Sequence, residues 1–190
     1  MNFGGRGHFK VNTMQVASEI TALVKAVEAL KPRIILEIGT AWGGTLLLWA
    51  SLASEKVLSC DLQDMTIKQS FFELFPPPGS GCKVVAISGD THQAETKEKV
   101  SMQLQGKKVD FLFIDGDHTL SGVEADYNDY RSLVRSGGVI AFHDIVDHQS
   151  LPANQVQHFW KRLKKEMPCE EFIDDPKQCG FGIGIIRLPG

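Results

Sequence analysis

The sequence predicts an α/β fold: a doubly wound, mostly parallel sheet with helices on both faces. Three observations predict it. Short apolar runs alternate with amphipathic stretches along the chain. The runs are continuous, which is the pattern of strands buried on both faces. One run after another ends on a glycine or an acid. At 190 residues, with 43% hydrophobic and 23% charged residues, the chain has the size and composition of one domain spanning 1–190.

The elements follow in order. MNFGGRGHFK is glycine-rich and lacks the apolar core of a signal peptide, so a mobile segment is expected over 1–12. From Thr13, the apolar residues Val16, Ile20, Leu23, Val24, Val27 and Leu30 recur at helical spacing, and Pro32 stops the helix. RIILEIG is a strand, TLLLWASLAS a helix, and KVLSCD a second strand ending on Asp61. Residues 64–75 read as a helix ending in FFELF. FPPPGSG must be a loop, because its prolines lack donors and fix φ. KVVAISGD is the third strand and ETKEKVSMQL the next helix. VDFLFIDGDH is the fourth strand with its loop. Ser121 and Glu124 resemble a capping box for a helix through Leu133 and Val134, with Gly137-Gly138 as its C-terminal cap. GVIAFHD is the fifth strand, and NQVQHFWKRLKKE is an amphipathic helix. EEFID and GIGIIRL have no helical pattern between them, so one of them is expected to run antiparallel at the sheet edge. Right-handed crossovers between the parallel strands make the doubly wound sheet the leading fold.

Composition narrows the function classes. A net charge of -3 gives no broad attraction to polyanions. The run Lys161, Arg162, Lys164 and Lys165 lies on a helix and reads as a solvated face. The four cysteines are scattered, with no C-x-x-C pair, as expected for free thiols in a reducing compartment. No apolar stretch is long enough to span a bilayer. The expectation is a cytoplasmic protein that binds neither nucleic acid nor membrane.

In such a sheet, ligands bind at the C-terminal ends of the strands. That rim collects Glu37 to Gly44, Asp61 with Leu62, Ser88-Gly89-Asp90, Asp115-Gly116-Asp117-His118, and His143-Asp144. Gly39 and Gly43 allow tight turning and close approach of a ligand. Their spacing is G-x-x-x-G, and Ala41 stands where a dinucleotide motif has its second glycine. That counts against the rival enzyme class, a nicotinamide-dependent oxidoreductase. Asp61 is placed to accept both hydroxyls of a ribose. Asp90 either accepts a purine amine or caps the next helix. A non-catalytic cofactor-binding scaffold would keep Asp61 without needing His143 and Asp144.

LEIGTAWGGT resembles the first motif of class I S-adenosylmethionine-dependent methyltransferases, with Asp61 and Asp90 at the ribose and adenine positions. VDFLFIDGDH and SGGVIAFHD resemble a narrower group, methyltransferase-domain family 24. That group is akin to the cephalosporin-hydroxylase-like proteins and, more distantly, to metal-dependent O-methyltransferases. The resemblance covers residues 33–148 by motif. It implies a seven-stranded sheet with its last strand antiparallel and S-adenosylmethionine as cofactor. It implies cofactor contacts from Glu37, Gly39, Thr40, Gly43, Asp61, Leu62, Gly89, Asp90 and Asp115. It implies methyl transfer to oxygen of a small-molecule acceptor.

Two readings of the reactive end stand side by side. Asp115 and the pair His143-Asp144 end adjacent strands, ~4.8 Å apart in a parallel sheet. In the metal-dependent relatives these positions hold a divalent cation through Asp, Asp and Asn. Here Asp115, His143 and Asp144 would be the ligands, and the histidine suits manganese, iron or zinc better than magnesium. In the metal-free reading, His143 or His118 is a general base that a carboxylate such as Asp115 orients. Asp117 reads as a helix cap. The acceptor pocket needs walls, for which FFELFPPPGSG, the N-terminal segment, Trp42, Trp160 or a second subunit of a homo-oligomer are candidates.

Overall fold

The structure, a computed structural model, describes residues 11–190. The expectation of a mobile segment over 1–12 lies outside the described residues for all but Val11 and Asn12. Those two are docked: Val11 packs on the core beneath α2, and the Asn12–Thr13 backbone fills the space where Gly44 has no side chain.

Seven strands and six α-helices alternate: α1 Ala17–Ala29, β1 Ile34–Ile38, α2 Gly44–Leu52, β2 Lys56–Asp61, α3 Thr66–Phe72, β3 Lys83–Ser88, α4 Ala94–Leu104, β4 Val109–Ile114, α5 Leu120–Tyr130, β5 Val134–His143, α6 Val156–Glu166, β6 Cys169–Phe172 and β7 Ile183–Arg187. They form one sheet of order β3-β2-β1-β4-β5-β7-β6. The chain runs outward from β1 through β2 to β3, then returns to the other side of β1 with β4. The reversal leaves a crevice above the ends of β1 and β4, where a ligand can sit. β1 to β5 pair in parallel, and β7 pairs antiparallel with both β5 and β6. The antiparallel strand is therefore β7, and it lies inside the sheet. The expectation of an antiparallel edge strand is corrected: β6 takes the edge, running in the direction of β5.

β1 is buried along its whole length, as its unbroken IILEI predicts for a central strand covered on both sides. One apolar layer packs α4, α5 and α6 on the sheet through residues such as Val100, Tyr127 and Trp160. The opposite layer packs α1, α2 and α3 through Leu23, Trp49 and Phe72. Trp49 stands edge-on to Phe111 and Phe113 of β4, with ring centroids 5.1 and 5.4 Å away.

Two local readings change. The N-cap of α5 is Thr119, whose hydroxyl accepts from Gly122 N at 3.0 Å, so Ser121 and Glu124 form no capping box. The helix begins at Leu120, two residues before that box would allow. Gly137 and Gly138 cap no helix: α5 stops at Tyr130, a 3-10 turn covers Arg131–Leu133, and both glycines lie inside β5. Gly138 packs against the Asp110 backbone where β5 departs from regular register with β4. Thr119→Ala should cost about 1 kcal/mol of stability, read as a lowered midpoint in urea unfolding with unchanged slope.

Candidate active site

A cavity of about 670 Å³ opens at the C-terminal ends of the central strands. Of the expected cofactor contacts, Gly39, Asp61, Leu62, Gly89, Asp90 and Asp115 line it. His118, His143 and Asp144 line it as well.

The glycine loop is held by Asp61. Its Oδ2 accepts from the backbone N–H of Thr40 at 3.0 Å and of Ala41 at 2.7 Å, and its Oδ1 accepts from Gln63 N at 2.8 Å. Ala41 needs this hold, because it sits at φ 44, in the left-handed region that costs a side-chain-bearing residue energy. Gly39, at φ 92, lies so close to the Asp115 carbonyl that any side chain there would collide with backbone. Its glycine thus lets the ends of β1 and β4 touch.

Three expected cofactor contacts do not reach the cavity. Glu37 is fully buried on the face covered by α2, where Trp49 Nε1 donates to it at 2.8 Å and Ser59 Oγ at 2.5 Å. Burial pushes its carboxyl up to about 7, against the lowering pull of these hydrogen bonds. Thr40 is buried and turned inward, its Oγ1 2.6 Å from Ser59 Oγ. Glu37, Ser59 and Thr40 thereby form a polar chain that secures the glycine loop from below. Gly43 caps α2 at φ 75, and the space beside it belongs to the Phe72 and Phe75 rings. Strand alternation explains Glu37: its side chain points to the sheet face, beside the Trp49 indole.

Around Asp115, two carboxylates and two imidazoles interlock. Asp115 Oδ1 lies 3.1 Å from His143 Nδ1 and 3.2 Å from His118 Nε2, while Gln15 Nε2 donates to its Oδ2 at 2.7 Å. Asp144 Oδ2 lies 3.1 Å from His118 Nδ1 and accepts from Asn154 Nδ2 at 2.6 Å. Its Oδ1 accepts from Phe181 N at 3.0 Å. Asp144 reaches this position through a left-handed backbone, φ 64. Burial raises the Asp115 carboxyl, but the two imidazoles outweigh it and hold it down at about 2. Contacts with Asp115 and Asp144 push His118 up to about 10. His143 is also raised: burial opposes its charge, and the Asp115 carboxylate more than offsets that. The stability that His118 draws from its partners is therefore fully present below 6.5 and lost as pH rises through about 10. That of Asp115 is present above 3.8 and lost as pH falls through about 2.

The donor set does not fit the metal reading. Among the described residues, no three His, Cys, Asp or Glu side chains are arranged to hold a metal ion. Asp115 Oδ1 faces His143 Nδ1 and His118 Nε2, and Asp144 Oδ2 faces His118 Nδ1, so these carboxylate oxygens are already engaged by imidazoles.

Other expected residues fall elsewhere. Asp117 Oδ1 accepts from Thr119 N at 2.9 Å and shapes the turn before α5, but the helix cap is Thr119, so the cap reading of Asp117 is corrected. Phe72 and Phe75 are buried against Phe71, and no residue of FFELFPPPGSG lines the cavity, so that stretch is not its lid. Trp160 is fully buried on the inner face of α6, while Trp42 is 53% exposed beside Lys68, and neither lines the cavity. The basic run of α6 is partnered: Lys161 with Asp147, Arg162 with Glu124 and Lys164 with Glu171. Among the described residues, no helix is long and apolar enough to cross a membrane. Sequence reasoning missed Gln15, Asn154 and Phe181, which reach the cluster from three loops. An amide in a loop carries no spacing signal that could have found them.

A family model described as rhamnosyl O-methyltransferase/CmcI matches residues 6–175. The chain belongs to the rhamnosyl O-methyltransferase/CmcI family. A rhamnosyl O-methyltransferase of Mycobacterium bovis is 24% identical over 147 residues, covering 75% of this chain and 58% of that protein. The chain thus spans little more than half the length of this relative. The O-methyltransferase TomG of Streptomyces achromogenes, involved in tomaymycin synthesis and solved in complex with SAM, superposes with a TM-score of 0.69 at 17% identity. That match covers 96% of this chain and 83% of TomG. The MycE methyltransferase of the mycinamycin pathway, solved in complex with Mg and SAH, superposes with a TM-score of 0.60 at 18% identity, over 89% of this chain and 48% of MycE. These likenesses agree with the seven-stranded fold and its antiparallel β7.

Proposed function

We propose that this protein is an S-adenosylmethionine-dependent methyltransferase, acting on a hydroxyl of a small-molecule acceptor in the cytoplasm, as one domain over 1–190. The observation that carries this reading is one cavity lined both by Asp61 with the glycine loop and by the Asp115 cluster. The family description and the name of the Mycobacterium bovis relative support oxygen as the acceptor atom.

When bound, S-adenosylmethionine supplies an electrophilic methyl on a sulfonium. Asp61 accepts from a ribose hydroxyl on Oδ1, the oxygen that takes one backbone donor where Oδ2 takes two. Gly39 lets the ends of β1 and β4 meet, which brings Asp115 beside the glycine loop. His143 is the general base. Its Nδ1 faces Asp115, and its Nε2 is buried with no hydrogen-bond partner among the described residues, so Nε2 is the atom left to take the acceptor's proton. Asp115 fixes the ring and stabilises the imidazolium that forms. His118 has a carboxylate at each ring nitrogen and stays charged at neutral pH, which makes it a poor base and a good electrostatic anchor for Asp115 and Asp144. A second subunit that completes the acceptor side would be consistent with Met14 and Leu151 being 65% and 67% exposed at the cavity.

Calorimetry tests the reading directly. S-adenosylhomocysteine should bind and NAD should not; binding of NAD alone would overturn it in favour of an oxidoreductase. Titrating Mg²⁺ or Mn²⁺ into the S-adenosylhomocysteine complex should give no heat of binding. Metal binding that Asp115→Ala abolishes would restore the metal reading.

A further inference from the structure

A second buried polar cluster lies behind the cavity wall at Gly116, Thr91 and His92, outside the residues used above. Asp126 of α5 is 0% exposed. Its Oδ1 accepts from Thr91 Oγ1 at 2.7 Å and lies 3.2 Å from His92 Nε2, within ion-pair distance though not aligned as a hydrogen bond. Its Oδ2 is buried with no hydrogen-bond partner among the described residues, directly behind Gly116. One turn along α5, Tyr130 Oη donates to the Thr91 carbonyl at 2.8 Å. Thr91 and His92 follow Asp90 at the end of β3, and all three line the cavity. Asp90 in turn accepts from His92 N at 2.9 Å. The turn that presents Asp90 is therefore tied to α5 at two points, one of them a buried carboxylate.

We propose that Asp126 is a positioning residue for the nucleoside end of the cofactor: it holds Thr91 and His92 so that the turn after β3 presents Asp90 to the purine. This rests on the proposed function, since it presumes an adenosine-bearing ligand in the cavity. A buried carboxylate without a full set of donors is a poor structural element. Burial raises the Asp126 carboxyl to about 6, with the Thr91 hydrogen bond and His92 opposing that rise and Asp117 adding to it. Cys60 of β2 and Tyr130 are the other titratable groups coupled to it, and both are held protonated at neutral pH by burial. A carboxyl raised in the folded state weakens the fold above its own titration, so Asp126 costs stability at neutral pH. That sign separates the two possible roles. A structural residue would be missed by the fold; a positioning residue would be missed by the ligand.

The test is Asp126→Asn, which keeps the shape and the acceptor for Thr91 but removes the charge facing His92. At pH 7.5 its melting temperature should equal or exceed that of the unaltered protein. Its affinity for S-adenosylhomocysteine, measured by calorimetry, should fall about tenfold. In the unaltered protein that affinity should decline as pH is lowered through about 6, where Asp126 takes up a proton, and the decline should be absent in Asp126→Asn. A lowered melting temperature with unchanged affinity, or an identical pH dependence in the two proteins, overturns the proposal. If the unaltered protein binds no S-adenosylhomocysteine at any pH, it is the methyltransferase reading that fails.

Discussion

Asp115→Asn should lower kcat by about 10²–10³-fold while leaving affinity for S-adenosylhomocysteine within about threefold. The asparagine fits the same space and still accepts from one neighbour. What it loses is the charge that both imidazoles face, at 3.1 and 3.2 Å. His143 then loses the partner that sets its tautomer and stabilises its protonated form. The pH profile must move with it. In the unaltered protein His143 is raised by Asp115, so the rising limb of kcat should lie above the ordinary 6.5 of an imidazole. Without the carboxylate, burial is the dominant influence and favours the neutral ring, so the limb should shift to lower pH even as the plateau falls. The measurement is methyl transfer from labelled S-adenosylmethionine to an acceptor found by screening hydroxylated compounds. An unshifted limb would remove His143 as the base, and an unchanged kcat would remove Asp115 from the chemistry.

Asp61→Ala should weaken S-adenosylhomocysteine binding by about 100-fold or more. Two effects add. The ribose loses its acceptor, and the glycine loop loses the carboxylate that takes the Thr40, Ala41 and Gln63 amides. Hydrogen bonds to a charged group contribute about 1.5–3 kcal/mol each, and Ala41 would no longer be held in its left-handed conformation. Asp61→Asn can satisfy only part of this set and should fall between. Binding at the level of the unaltered protein in Asp61→Ala, measured by calorimetry, would show that the ribose is held elsewhere.

Much of the molecule was legible before its structure. Continuous apolar runs such as IILEI and VDFLFI can be buried on both faces only in a central parallel strand, and all five expected parallel strands formed. Asp61, Asp115, His143 and Asp144 were legible too, because a residue just past a strand must emerge at the rim. Local rules failed where tertiary contacts competed. The diglycine at 137–138 reads as a helix stop, yet it lies inside β5, in the irregular stretch between two paired segments, where Gly138 O accepts from Leu188 N at 2.9 Å and Gly137 N donates to Pro189 O at 3.2 Å. FFELFPPPGSG reads as a candidate wall of the acceptor pocket, yet Phe72 and Phe75 are buried in the core layer of α1, α2 and α3.

The sequence by itself determined which polar residues reach the rim, since one-dimensional periodicity dictates where each strand ends and which residues follow. It could not determine which atoms meet there. That Asp115 faces two imidazoles, that Glu37 turns away to lock the glycine loop, and that Gln15, Asn154 and Asp126 support the site from α1's approach, the loop before α6 and α5 were decided by tertiary structure alone. The physical reason is range. Periodicity acts over a few neighbouring residues, whereas these contacts join groups up to 100 residues apart, and only the packed sheet brings them within hydrogen-bonding distance.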